Sequence, residues 1–260
     1  MLTAHQANAY YELFARLASM GIEVFAFDQR LQNTHCHKLY PTNVKNYRGW
    51  GRSAVTKKQW GVSGGTSAII RDIDEIIIYR LSHLKNLFTT PPLFLLGHSA
   101  GGALDLTYAY LGAHRKAVAG YLVWAPFIAL SPELQPPWLK IFLGRLAGKV
   151  FPNRQLVHTT NPDQMSRDEN VRDDFKKDKL VHDTGTLVGM SDMLERGMNL
   201  LKKDVVERFD KEKPVMVMHG ENDMATDVEA TKEFFRLLDV KDKELVLYEG
   251  GYHKREYIRF

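Results

Sequence analysis

A serine hydroxyl attacks a carbonyl only when a base takes its proton and an acid orients that base, and Ser99, His253 and Asp223 stand where those three parts are needed. Ser99 lies in Gly97-His98-Ser99-Ala100-Gly101. The apolar run Leu93 to Leu96 precedes it, and Ala103, Leu104, Leu106 and Thr107 follow it. Together they read as strand, sharp turn and helix, the setting in which a Gly-X-Ser-X-Gly turn exposes its hydroxyl. Glycine is required at 97 and 101 because a Cβ at either position would collide with the neighbouring backbone of the turn. The turn also aims the N–H of Ala100 and the first helical turn at the place where an oxyanion would form.

The acid and the base are placed by the strands they follow. Asp223 comes just after the apolar run Pro214 to His219, and His253 just after Glu244 to Tyr248, behind the glycine pair 250 and 251. Ligands of open parallel sheets gather beyond the carboxyl ends of the strands, and the order serine, acid, histidine is the one this kind of turn leads one to expect. Asp227 is the competing acid, but it stands where the helix Val228 to Leu238 begins and reads as its N-cap. His219 lies within a strand end and His98 within the turn, so both read as structural. His35-Cys36-His37 are adjacent in a polar stretch without a second ligand pair, so no metal site is expected.

The elements that must position these residues alternate between helix and strand. Ala4 to Ser19 carries Tyr10, Leu13, Phe14 and Leu17 at helical spacing, and Ile22 to Phe27 reads as a buried strand. From Thr66 to Phe88, residues Ile70, Ile73, Ile77, Leu81, Leu84 and Phe88 form the apolar stripe of a helix covering a sheet. Ala119 to Pro126 is the next buried strand. From 127 to 213 the alternation stops, and this segment is expected to be an inserted cap between core segments 1–126 and 214–260. Within it Trp138 precedes an apolar stripe of Leu139, Phe142, Leu143, Leu146 and Val150, suited to cover an acyl-chain pocket or to lie on a lipid surface. Leu31 to Arg48 is polar and unperiodic and reads as an atypical insertion.

Composition sets the remaining bounds. The 260 residues are 44% hydrophobic and 25% charged, ordinary for a globular protein, and a net charge of +4 with mixed signs gives no basic field for nucleic acid. The single cysteine, Cys36, excludes an intramolecular disulfide, and no signal peptide or membrane-spanning run is visible. A cytoplasmic place is therefore expected.

Four stretches carry a family resemblance: Phe27 to Arg30 with Gly49 to Ser53, Gly97 to Gly102, Val217 to Asp223, and Lys243 through His253. On them the chain resembles the α/β-hydrolase superfamily, in particular the fungal monoglyceride lipase branch of the serine-aminopeptidase-like hydrolases. The resemblance implies an α/β fold with a mostly parallel sheet and an inserted helical lid at 127–213. It implies Ser99 as nucleophile, Asp223 as acid, His253 as base and the Ala100 N–H in the oxyanion hole, with Trp138, Phe142, Leu143 and Leu146 as substrate-binding lid residues. The implied reaction is cofactor-free and metal-free: a monoacylglycerol ester is cleaved through an acyl-enzyme to fatty acid and glycerol, at or near a membrane or lipid-droplet surface. A lysophospholipid or a generic small ester is the alternative substrate on the same residues.

Three departures from the family pattern set further expectations. Where the family has strands and a His-Gly loop ahead of the first helix, this chain has Met1-Leu2-Thr3. Thr3 would then be the second oxyanion donor, and the sheet is expected to lack its member beside the Ser99 strand, with a non-catalytic remnant as the alternative outcome. Leu31 to Arg48 interrupts what would otherwise run from Arg30 directly into Gly49, as a translated intron would. The helix expected after His253 is nearly absent, so the chain reads as truncated at both ends.

Overall fold

The structure is a computed structural model that describes residues 2–4, 11–28, 49–50, 54, 56–84, 90–135, 137, 144, 146–179 and 181–254. Six short strands form one sheet: β1 (Leu2–Ala4), β2 (Ala26–Asp28), β3 (Leu93–His98), β4 (Val118–Trp124), β7 (Val215–Gly220) and β8 (Lys243–Tyr248), in the spatial order β2-β1-β3-β4-β7-β8. Every pair in it is parallel. Parallel neighbours need crossovers, and helices supply them: α1 (Tyr11–Ser19) between β1 and β2, α2 (Thr66–Leu84) between β2 and β3, and α3 (Ala100–Leu111) between β3 and β4.

The first residues correct one expectation. Leu2 to Ala4 form the strand between β2 and β3, with Leu2 level with Leu96 and Ala26, and Thr3 level with Gly97 and Phe27. The place beside the Ser99 strand is therefore filled. Three residues suffice because pairing uses backbone groups alone, and a gap there would leave facing rows of N–H and C=O groups unpaired. The shortness of β1 also limits β2: only Ala26 to Asp28 have a partner, and Ile22, expected in a buried strand, is 47% exposed. The stretches 31–48 and 51–53, including His35-Cys36-His37, lie outside the described residues, as does the end of the α2 stripe at Phe88.

Between β4 and β7 the chain forms an antiparallel pair, β5 (Gln155–Val157) with β6 (Thr184–Thr186), then α4 (Glu169–Lys177) between those strands and α5 (Leu187–Leu200) after them. This segment is tied to the chain after β2 by aromatic stacking. The His182 ring lies between Trp50 (centroids 4.4 Å apart, planes at 15°) and Trp60 (4.9 Å, 3°), and its Nε2–H donates to the Gly49 carbonyl at 2.8 Å. Gly49 has φ 81°, and a Cβ there would stand 2.3 Å from the Val62 nitrogen, so only glycine fits. Burial lowers the basicity of His182, which keeps it a neutral, stackable ring.

Leu95, Val118, Val123, Val215 and Val217 from the strands form one core with Ile73 and Ile77 of α2 and Leu104, Leu106 and Tyr108 of α3. The same core takes in Phe234 from α6 (Val228–Leu237), the crossover between β7 and β8, together with Leu200, Val205, Val206 and Phe209. Full burial of a side chain the size of Ile77 or Phe234 contributes about 1.5–3 kcal/mol. Helix α3 is buried on all sides because the sheet covers one face while α2 and α5 cover the others. It therefore starts at a fixed point behind β3, and Ser99 is held at that point.

Candidate active site

Ser99 is the residue on which the strand turns into the helix. Its backbone has φ 56° and ψ −123°, a left-handed conformation that a serine adopts only when its surroundings impose it. Three hydrogen bonds do so: Ser99 N–H donates to the Trp124 carbonyl at 2.9 Å, and the Ser99 carbonyl accepts from Ala103 at 3.1 Å and Phe127 at 2.9 Å. Glycine at 97 is forced by contact, since a Cβ there would lie 2.5 Å from Asp105 Oδ2 and 2.6 Å from the Gly101 carbonyl oxygen. Ala100 opens α3, so its N–H belongs to the helix terminus whose donors have no intrahelical acceptor.

The loops after β7 and β8 bring the other two residues to this turn. His253 Nε2 is 3.0 Å from Ser99 Oγ, and His253 Nδ1 is 2.7 Å from Asp223 Oδ2. An ionised carboxylate only accepts, so Nδ1 carries the imidazole proton and Nε2 is left to accept from the serine hydroxyl. The loops are themselves anchored: Asn222 N–H donates to the Gly251 carbonyl, and Lys254 N–H donates to the Met165 carbonyl, both at 2.8 Å. The Lys254 ammonium lies 4.4 Å from the centre of the Phe175 ring of α4.

Asp223 has no exposed side-chain surface, and its two oxygens are saturated. Oδ1 accepts from the Ala225 and Thr226 N–H groups at 2.7 and 2.9 Å; Oδ2 accepts from His253 at 2.7 Å and from the Thr226 hydroxyl at 2.8 Å, with His219 Nε2 3.2 Å away. Burial pushes this carboxyl up, but the charge of His253 and the hydrogen bonds from His219 and His253 outweigh it. They hold the group well below the usual carboxylate range. His98 is buried beside His253, its ring centre 4.7 Å from that of His253, and its Nε2–H donates to the His253 backbone carbonyl at 2.8 Å. Burial, then the neighbouring His253, keep His98 far below the usual imidazole range and hence neutral.

The structure thus brings Ser99, Asp223 and His253 into one chain of hydrogen bonds. Asp227 is apart from it: its side chain accepts from Glu229 N–H as the N-cap of α6. Thr3 lies in β1, level with Gly97. Leu146 is in a helical stretch and 53% exposed, whereas Trp138, Phe142 and Leu143 lie outside the described residues. In the sequence His98 and His219 read as structural and Thr226 carries no motif, yet all three touch the site in the structure. The available signal was spacing: His219 precedes Asp223 by four residues across a strand end, and Thr226 follows it by three. Among the described residues no group of three His, Cys, Asp or Glu side chains could hold a metal ion, and no helix is long and apolar enough to cross a membrane.

A hydroxyl, an imidazole and a buried carboxylate in this order can move a proton from Oγ to Nε2 while the carboxylate stabilises the imidazolium. Carried at the carboxyl ends of β3, β7 and β8 of a parallel sheet, they define an α/β-hydrolase. The family profile described as "Serine aminopeptidase, S33" matches residues 41–255, and the chain belongs to that family. It is 35% identical over 248 residues to a Schizosaccharomyces pombe protein named "Putative monoglyceride lipase", matching 95% of this chain and 58% of that protein. The chain therefore spans under two thirds of that relative's length. Among solved structures it is similar to a soluble variant of the Saccharomyces cerevisiae monoglyceride lipase in complex with a substrate analogue, with a TM-score of 0.82, 26% identity, and coverage of 99% of this chain and 80% of that one. The Paleococcus ferrophilus monoacylglycerol lipase superposes with a TM-score of 0.72 at 26% identity, covering 98% and 84%.

Proposed function

We propose that this protein hydrolyses the ester bond of monoacylglycerols through an acyl-enzyme. Ser99 Oγ attacks the ester carbonyl as His253 takes its proton, and Asp223 holds the imidazole and balances its charge. The Ala100 N–H stabilises the oxyanion, whereas the backbone of Thr3 is paired within the sheet on both sides. His253 then returns the proton to the departing glycerol oxygen, and water attacks the acyl-serine by the same route to release the fatty acid. The observation that carries the reading is the pair of contacts at His253, 3.0 Å to Ser99 Oγ and 2.7 Å to Asp223 Oδ2. The choice of substrate is supported by the monoglyceride lipases to which the chain is similar.

Segment 127–213 is the lid of this site, and it meets lipid. Supporting this, Leu146, Val150 and Phe151 are 53%, 65% and 64% exposed beside the exposed Lys149, a combination that suits an interface with acyl chains below and anionic headgroups around it. A serine-directed fluorophosphonate tests the nucleophile: wild type is labelled and Ser99→Ala is not. Labelling that persists in Ser99→Ala would remove the proposal.

A further inference from the structure

Asp223 is shared by two histidines, and the proposed reaction uses only one. His219 is the last residue but one of β7, has no exposed surface, and faces Asp223 Oδ2 through Nε2 at 3.2 Å while its Nδ1 lies 2.9 Å from the Thr231 hydroxyl of α6. A residue that only filled this space would be apolar, because a buried imidazole requires a partner at each nitrogen. Both nitrogens have one. We propose that His219 is a positioning residue: it donates Nε2–H to Asp223 and so fixes the carboxylate in the orientation from which Oδ2 directs His253. The inference rests on the serine-hydrolase reading above.

Of the two acceptors within reach of the Thr231 hydroxyl, His219 Nδ1 at 2.9 Å and the Asp227 carbonyl at 3.4 Å, the charge on Asp223 selects the first. Asp223 is ionised and accepts only, so Nε2 of His219 carries the proton and its Nδ1 must accept, which makes the Thr231 hydroxyl the donor. Asp223 thereby selects the tautomer, and the Thr231 hydroxyl satisfies the second nitrogen. Thr226 Oγ1 stands between the two rings, 3.3 Å from His219 Nε2 and 3.4 Å from His253 Nδ1, and gives its own hydrogen to Oδ2 at 2.8 Å. The two backbone donors at Oδ1 fix one end of the carboxylate, and donors on two sides of Oδ2 fix the other. Turning the group toward either ring breaks a bond to the other.

His219 also divides the charge that Asp223 presents to His253. Among the described residues, the other titratable groups at His253 are His98, kept neutral by burial, and Lys254, next in the chain, whose ammonium burial lowers to about 8. With the second donor gone, the whole carboxylate charge acts on His253 and favours the imidazolium, so the base is protonated at higher pH.

The tests are the ring-nitrogen NMR spectrum of the wild-type protein and the pH profile of kcat/KM on a soluble ester for three variants. The inference expects the Nε2–H tautomer at His219. It expects kcat in His219→Leu to fall roughly tenfold, the part of one charge-assisted hydrogen bond expressed in the transition state, with KM unchanged. The acidic limb of that variant moves to higher pH. His219→Gln, whose amide can donate from a similar position, keeps both near wild type, and Thr231→Val loses a smaller factor than His219→Leu. An Nδ1–H tautomer overturns the inference whatever the activity, as does a folded His219→Leu with full kcat and an unmoved limb, or a His219→Gln as impaired as His219→Leu. A wild-type protein that hydrolyses no ester while showing the Nε2–H tautomer would sink the hydrolase reading and leave the donation to Asp223 standing.

Discussion

Replacing Asp223 by asparagine preserves shape and reverses one set of hydrogen bonds. With its NH₂ in the place of Oδ1, the amide would face the Ala225 and Thr226 N–H groups at 2.7 and 2.9 Å, and backbone donors cannot turn into acceptors. The NH₂ must therefore occupy the place of Oδ2, facing His253 at 2.7 Å, Thr226 Oγ1 at 2.8 Å and His219 at 3.2 Å. His253 answers by moving its proton to Nε2, which points it at Ser99 Oγ and ends its service as a base. The comparable change in a serine protease lowers kcat roughly 10⁴-fold, or about 5 kcal/mol, and a loss of that size is expected here. Stability changes with pH as well. Asp223 has a folded pKa below its unfolded value near 3.8, so its ionised form stabilises the fold above that pH and the contribution is lost as pH falls. The variant should therefore melt below wild type at pH 7, with the gap narrowing on acidification below about pH 4. Ester hydrolysis and thermal unfolding, measured on the same preparations, are the assay. An Asp223→Asn protein that folds and retains more than about a tenth of wild-type kcat would refute the assigned hydrogen-bond directions.

Three further outcomes follow from single contacts. Ser99→Gly should raise the melting temperature where Ser99→Ala does not, because glycine relieves a left-handed backbone worth about 1 kcal/mol; equal melting of the two would mean the turn is not strained. Gly97→Ala places a Cβ 2.5 Å from Asp105 Oδ2 and should cost several kcal/mol, read as insolubility or, at about 2–4 °C per kcal/mol for a chain of this size, a melting point lowered by roughly ten degrees. Phe151→Asp on the exposed surface of segment 127–213 should weaken binding to anionic vesicles while leaving hydrolysis of a soluble ester intact; equal losses would place Phe151 in packing instead.

The parts of this molecule legible in sequence are those with a local cause. The Ser99 turn could be read because its glycines answer to contacts within a few residues, and α2 because Ile70, Ile73 and Ile77 recur at the helical period and are buried as that period requires. Asp223 and His253 could be placed because each follows a strand. What escaped depends on partners distant in the chain. β1 has three residues and no period, and it exists because β2 and β3 leave backbone groups for it to pair. The roles of Gly49 and Trp50 are set by His182, more than 130 residues away, and His219 becomes part of the site only through the loop that folds Asp223 back over the end of β7.

The central claim is that Ser99, His253 and Asp223 act together on the ester of a monoacylglycerol, and its most direct test is release of glycerol and fatty acid from a dispersed monoacylglycerol by the purified chain. Wild type is expected to release both in equal amounts, and Ser99→Ala to release neither above background. Release by Ser99→Ala at the wild-type rate, or none by a folded wild-type protein, would contradict it.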